Sequence, residues 1–141
     1  MNILYTLNDK FITQVATSIC SICENNRDFD EIHFYIISNG ITEENKSKLK
    51  NFIAKYNRKV TIKELEDIND YFDFEFDTTG WNPVILARLV LDKFIPNNVD
   101  KILYLDGDTI IRSKSTSFIC LSSWKYKKKE DSSSFLLGSG I

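Results

Sequence analysis

Two aspartates flank a single glycine at the end of an apolar run, Ile102-Leu103-Tyr104-Leu105-Asp106-Gly107-Asp108. The run is β-prone and reads as a strand over Lys101 to Leu105, with Thr109 to Ile111 continuing extended beyond the acidic pair. In an extended backbone the side chains at i and i+2 point to the same side, so both carboxylates are expected to face one ion. Gly107 offers no side chain to obstruct an approaching ligand. Hard oxygen donors suit Mg²⁺ or Mn²⁺, which typically combine a few carboxylates with phosphate oxygens. The competing interpretation is an ordinary β-turn, because Asp and Gly are both turn formers. The apolar strand before the triplet and the β-branched Ile110-Ile111 after it favour the metal site.

The elements that must position this triplet alternate in type. Asn2 to Thr6 is a short apolar run and reads as a first strand, followed by a polar turn, Leu7-Asn8-Asp9-Lys10. From Ile12 the apolar residues Ile12, Val15, Ala16, Ile19, Cys20 and Cys23 recur at three and four, which marks one helical face. No charge falls between Phe11 and Cys23, which predicts a well-buried helix ending near Asn25. Ile32 to Ile37 is almost wholly apolar, as suits a strand covered on both faces. Ser38-Asn39-Gly40 reads as a loop. Thr42 is placed to cap a second helix, with Glu43 and Glu44 in the first turn where the helix dipole favours negative charge. Its apolar face is Leu49, Phe52, Ile53 and Tyr56, and Val60 to Leu65 is a third strand. Residues 66–80 are acidic and aromatic and read as loop or short helical turns. Asn82-Pro83 starts a helix that runs to Phe94, interrupted in its apolar character by Arg88. Phe135 to Ile141 reads as the start of a further strand. The β-α-β-α-β order predicts an α/β fold, a Rossmann-like sandwich built on a mostly parallel sheet. In such sheets ligands bind outside the carboxyl ends of the strands, where Asp106 and Asp108 fall.

Composition sets the outer limits. The 141 residues are 43% hydrophobic and 27% charged, with ten Phe, six Tyr and two Trp. Those proportions fit one globular domain and argue against disorder. A net charge of −2 gives no global field for nucleic acid. No apolar run approaches the ~20 residues of a membrane helix, and Met1 to Tyr5 lacks a secretion signal, so the expected compartment is the cytoplasm. Cys20, Cys23 and Cys120 are an odd number and read as reduced thiols. The Cys20–Cys23 spacing matches a redox motif, but its place within a helix favours two core cysteines. A zinc site would need four ligands, and only Cys120 and His33 remain. His33 reads as an ordinary strand residue. Lys125, Lys127, Lys128 and Lys129 form a basic patch around Tyr126, chiefly a solvated loop, with peripheral contact to a phosphate or membrane surface as the alternative.

The chain resembles glycosyltransferase family 8, retaining enzymes that include glycogenin-like and bacterial lipopolysaccharide galactosyl- and glucosyltransferases. Met1 to Asp9 is similar to the family's opening strand and loop, and Ile12 to Asn25 to the helix that follows. Ala87-Arg88-Leu89 is similar to the arginine helix, Ile95 to Ile111 to the metal-binding strand, and Leu136-Leu137-Gly138 to the strand beyond. The resemblance implies a GT-A fold over residues 1–141, acting as a nucleotide-sugar-binding part. It implies that Asp106 and Asp108 hold Mn²⁺ (or Mg²⁺) against the diphosphate of a UDP-sugar, with Gly107 between them. It implies that Thr6, Leu7 and Asn8 contact uracil and ribose, and that Arg88 reaches the diphosphate or the sugar. The reaction implied is retaining transfer of a hexose to a hydroxyl of a glycan, lipid-linked or protein acceptor, as in lipopolysaccharide biosynthesis.

Two departures qualify the resemblance. Asn8 stands where many members have an acidic residue, and an amide can still pair with the base edge. The family is about twice this length, its later part supplying a third metal ligand, commonly a histidine, and most of the acceptor site. The expectation is therefore a domain without its acceptor-side part, which binds UDP or a UDP-sugar but lacks full transfer activity. The non-enzymatic alternative is a truncated nucleotide-binding remnant. The enzymatic rival is a haloacid-dehalogenase-type phosphatase, in which an Asp-x-Asp with a nucleophilic aspartate also follows an apolar strand.

Overall fold

The computed structural model describes residues 1–72, 79–80 and 83–114. Four parallel strands, β1 (Asn2–Asn8), β2 (His33–Asn39), β3 (Lys59–Glu64) and β4 (Leu103–Tyr104), form one sheet in the order β3-β2-β1-β4. Helices α1 (Ile12–Asn25) and α2 (Glu43–Lys55) connect the first three strands, and short α3 (Pro83–Leu86) and α4 (Leu91–Phe94) precede β4. This is a parallel sheet flanked by helices, with Rossmann-like topology.

β1 and β2 are nearly continuous apolar runs because both faces are covered, whereas the edge strand β3 is part-exposed. Alternate residues serve opposite layers. Ile3, Tyr5, Leu7, Phe34 and Ile36 join Val15, Ile19, Ile22, Leu49 and Ile53 of α1 and α2 in one core. Leu4, Tyr35 and Ile37 face the other way, onto Leu86, Ala87, Val90 and Phe94. Tyr5 is fully buried, and its hydroxyl meets Ser18 Oγ of α1 at 2.7 Å, so its polar tip is satisfied inside the core.

Several boundaries differ from the sequence expectation. β1 runs through Leu7 and Asn8, where a polar turn was expected, because the ladder with β2 continues to Ser38 and Asn39. The same ladder turns the expected Ser38-Asn39-Gly40 loop into strand, with Gly40 alone turning the chain at φ +76. α1 keeps its expected ends, but its buried face is Val15, Ser18, Ile19, Ile22 and Cys23, while Thr13, Gln14 and Thr17 are exposed. Absence of charge therefore marked a polar face as buried. Thr42 caps α2 as expected, its Oγ1 accepting from Asn45 N. The expected helix over 83–94 forms in pieces, since Ala87–Val90 tightens to a 3-10 turn between α3 and α4. The acidic segment holds a 3-10 turn, Ile68–Tyr71, with Asp67 as its cap. Asn82, Cys120, the lysine patch around Tyr126 and the strand expected at Phe135 to Ile141 lie outside the described residues. Among the described residues no helix is long and apolar enough to cross a membrane.

Cys20 is half-buried and its thiol lies 3.3 Å from the Tyr56 hydroxyl. Cys23 is buried, and burial pushes its thiol up to about 11. A thiol so raised is inert at neutral pH, in keeping with core cysteines. His33, the sole histidine, stacks on Tyr35 with ring centroids 4.2 Å apart and places Nε2 2.8 Å from Thr61 Oγ1. Desolvation, and then the Lys59 ammonium, lower its pKa. A lowered histidine pKa favours the neutral ring in the folded state. Its contribution to stability is complete above the unfolded value of about 6.5 and is lost as pH falls through the folded value. Thermal denaturation of the protein and of His33→Gln at pH 7.5 and 5.5 is expected to show a larger acid-induced fall in Tm for the parent. Equal falls would remove His33 as the cause.

Candidate functional site

The sheet order creates a switch point. From β1 the chain builds outward through β2 and β3, then returns to add β4 on the other side of β1. In open α/β sheets the crevice at such a reversal is where ligands bind. Here the carboxyl ends of β1 and β4 open into a cleft of about 280 Å³. Its walls are Thr6, Leu7 and Asn8 from β1, Tyr104 and Asp106 to Asp108 from β4 and its exit, Arg88, and the exposed apolar Phe11 and Ile85. All seven residues singled out in the sequence thus line one cavity.

The local backbone differs from the expected one. Thr109 N donates to Asp106 O at 3.1 Å, so Asp106 to Thr109 is a turn. β4 covers only Leu103 and Tyr104, plus one further bond from Leu105 N to Leu4 O. The extended i, i+2 argument for the two carboxylates therefore does not apply. What brings them to one cleft is a tight turn at a strand end. The expected extended segment after it is held by α1 in place of a ladder. Ile111 N donates to Ser21 Oγ at 2.9 Å, and Asn25 Nδ2 donates to Ile111 O at 2.9 Å. With those backbone groups satisfied and Ile111 buried, no strand partner is needed.

Gly107 also acts differently from expectation. A Cβ there would lie 2.8 Å from Val15 Cγ2, inside the core. Glycine is required so that the turn can lie against α1, which fixes the height of both carboxylates above the sheet.

The charged groups form a network. Arg88 Nη2 donates to Asp106 Oδ1 at 2.6 Å, and Arg88 Nε donates to the Tyr104 hydroxyl at 2.9 Å. The Arg88 guanidinium carbon stands 4.6 Å from the Tyr104 ring centroid. The Tyr104 hydroxyl lies 2.8 Å from Thr6 Oγ1. The ion-pair side chains remain 45% and 61% exposed for Arg88 and Asp106, so the network faces the cleft and does not close it. At β1, Asn8 Oδ1 accepts from Lys10 N and caps the 3-10 turn Asp9–Phe11. Its amide oxygen keeps one lone pair beyond that bond, and its NH₂ end supplies two donors that a ligand can use. The Leu7 side chain is buried, so any ligand contact there is through backbone. Asp9 reaches across to α2, accepting from Thr42 N at 3.0 Å and Asn45 Nδ2 at 2.9 Å. The Asn45 and Thr42 donors hold its carboxyl below the usual range. Sequence reasoning missed Tyr104, which reads as an ordinary strand residue, while Asp9 serves to tie the β1 end to α2.

Among the described residues no group of three or more His, Cys, Asp or Glu side chains could hold a metal. The two exposed aspartates still fit a magnesium or manganese ion. Such ions are commonly held by one or two carboxylates, with phosphate oxygens and waters completing the shell.

A parallel sheet flanked by helices, with a cleft at its switch point bordered by an acidic turn and an arginine, has the GT-A topology. The model of glycosyl transferase family 8 matches residues 2–126, and the chain belongs to that family. A Haemophilus influenzae protein named as a glycosyltransferase is 32% identical over 113 residues, 80% of this chain and 33% of that one. The galactosyltransferase LgtC, solved with donor and acceptor sugar analogues, superposes with a TM-score of 0.68 at 24% identity, over 84% of this chain and 41% of LgtC. Mouse xyloside xylosyltransferase 1 gives 0.61 at 12% identity, over 84% of this chain and 48% of that one. At those identities the two likenesses are of fold. The chain spans about a third of the length of the Haemophilus relative. Family membership sets aside the phosphatase alternative.

Proposed function

We propose that this chain forms the donor side of a metal-dependent transferase that moves a hexose from a UDP-sugar to a hydroxyl acceptor, with retention at the anomeric carbon. The observation that carries this reading is the convergence of Thr6, Leu7, Asn8, Arg88, Asp106, Gly107 and Asp108 on one cleft at the β1/β4 switch point. Asp106 and Asp108 would hold Mn²⁺ or Mg²⁺. When bound, the ion supplies Lewis-acid stabilisation of the departing diphosphate. Arg88 would contribute charge-assisted hydrogen bonds to the same diphosphate, for which its planar fork is suited. The β1 end would recognise the uridine through backbone and the Asn8 amide. The acceptor would be a glycan, lipid-linked or protein hydroxyl.

A thermal-shift screen of nucleotide-sugars with Mn²⁺ tests the reading. UDP and UDP-hexoses are expected to raise Tm, with roughly 2.7 kcal/mol of stabilisation at a hundredfold excess over Kd. No shift with any uridine nucleotide would count against it. Arg88→Ala is expected to weaken UDP-sugar binding about tenfold, the scale of one charged hydrogen bond, while leaving Tm of the free protein nearly unchanged. An unaltered Kd would remove Arg88 from the site.

A further inference from the structure

Tyr104 joins the groups of this cleft without being one of the proposed ligand contacts. It pairs with Leu4 across the β1–β4 ladder, so Thr6 lies one diagonal step along the same face. That step brings the two hydroxyls to 2.8 Å. Arg88 arrives from the 3-10 turn Ala87–Val90 and meets Tyr104 twice, through Nε on the hydroxyl at 2.9 Å and through its guanidinium carbon 4.6 Å from the ring centroid. A guanidinium can only donate. The Tyr104 oxygen therefore accepts from Nε, and its proton can go to Thr6 Oγ1. The rest of the arginine fork projects toward the acidic turn, with Nη2 2.6 Å from Asp106 Oδ1.

We propose that Tyr104 is a positioning residue for diphosphate recognition. It fixes the Arg88 guanidinium beside Asp106 before any ligand arrives, and it does so from the strand end that carries Thr6. The assignment rests on the donor-site reading above. The physical basis is preorganisation. A long exposed arginine has many rotamers, and a ligand that must order it loses affinity accordingly. Here a hydrogen bond and an aromatic face order it in advance. Anything held by Asp106 is then within reach of Nη2, so the benefit falls on phosphate oxygens and not on the nucleoside.

The test compares uridine and UDP in Mg²⁺, by NMR titration, against the parent, Tyr104→Phe, Arg88→Ala and the double variant. Phe keeps the ring beneath the guanidinium and removes the hydroxyl, with its bonds to Arg88 Nε and to Thr6 Oγ1. Tyr104→Phe is expected to bind UDP about tenfold more weakly, on the scale of one hydrogen bond to a charged group, and to bind uridine as before. In the Arg88→Ala background the same substitution is expected to change UDP binding little. The Arg88 Nε–H signal is expected to exchange slowly with water in the parent and to become fast-exchanging in Tyr104→Phe without ligand. Unchanged UDP binding by Tyr104→Phe, or an equal loss for uridine and UDP, would overturn the assignment and leave the donor site standing. A parent protein that binds no UDP would overturn both.

Discussion

Asp108→Asn is expected to bind UDP with the same affinity in Mn²⁺ as in its absence, whereas the parent gains tenfold or more, about 1.4 kcal/mol, from the metal. Asparagine keeps the shape of the side chain and removes the charge that a hard divalent cation prefers. Asp108 is the cleaner of the two carboxylates to remove. Asp106 is ion-paired with Arg88, so changing it would also release the arginine. Asp108 has none of the ion pairs found among the described residues and lies in the same exposed turn. Calorimetry of the variant with and without Mn²⁺ gives the ratio directly. A metal dependence that survives the substitution would exclude Asp108 as a ligand.

The largest structural effect is expected from Gly107→Ala. The added Cβ would fall 2.8 Å from Val15 Cγ2, and Val15 is fully buried and β-branched, with little freedom to turn aside. Overpacking of this kind costs typically ~1–3 kcal/mol. The turn can also relieve the clash by moving away from α1, which would carry both carboxylates with it. Gly107→Ala is therefore expected to lower Tm and to weaken metal-dependent UDP binding together, whereas Asp108→Asn affects binding with Tm nearly unchanged. Denaturation and calorimetry on the same two variants separate these outcomes. A Gly107→Ala protein with parental Tm would show that the contact with Val15 is easily relieved.

The difference between these two variants reflects what could be read from the residues alone. The strand-helix alternation was plain, because two-sided burial writes apolar runs into β1 and β2, and three-four spacing writes a face into α1. Thr6, Leu7 and Asn8 were reached only through the family resemblance, but the identity of Asp106, Asp108 and Arg88 was legible, since paired aspartates after an apolar strand and an arginine in an apolar stretch are departures from local pattern. Their geometry was not. The backbone around Asp106 looked extended because Ile110 and Ile111 are β-branched, yet Ser21 and Asn25 of α1 take up the polar groups of Ile111 and leave a turn. Those partners lie about ninety residues away in sequence, and no local pattern announces them. Tyr104 was hidden for the opposite reason. An aromatic residue in a strand is ordinary, and only the β1–β4 register, with Arg88 folded over the ring, gives its hydroxyl a task. Gly107 illustrates a third limit, since a glycine suggests open space for a ligand when the space is in fact filled by a neighbouring helix.

The central claim is that the acidic turn and the β1 end hold a nucleoside diphosphate through a divalent cation. Calorimetric titration of UDP into the parent protein, once in Mn²⁺ and once in EDTA, tests it most directly. The account predicts saturable binding in the first and little or none in the second. Equal affinity in both would contradict it.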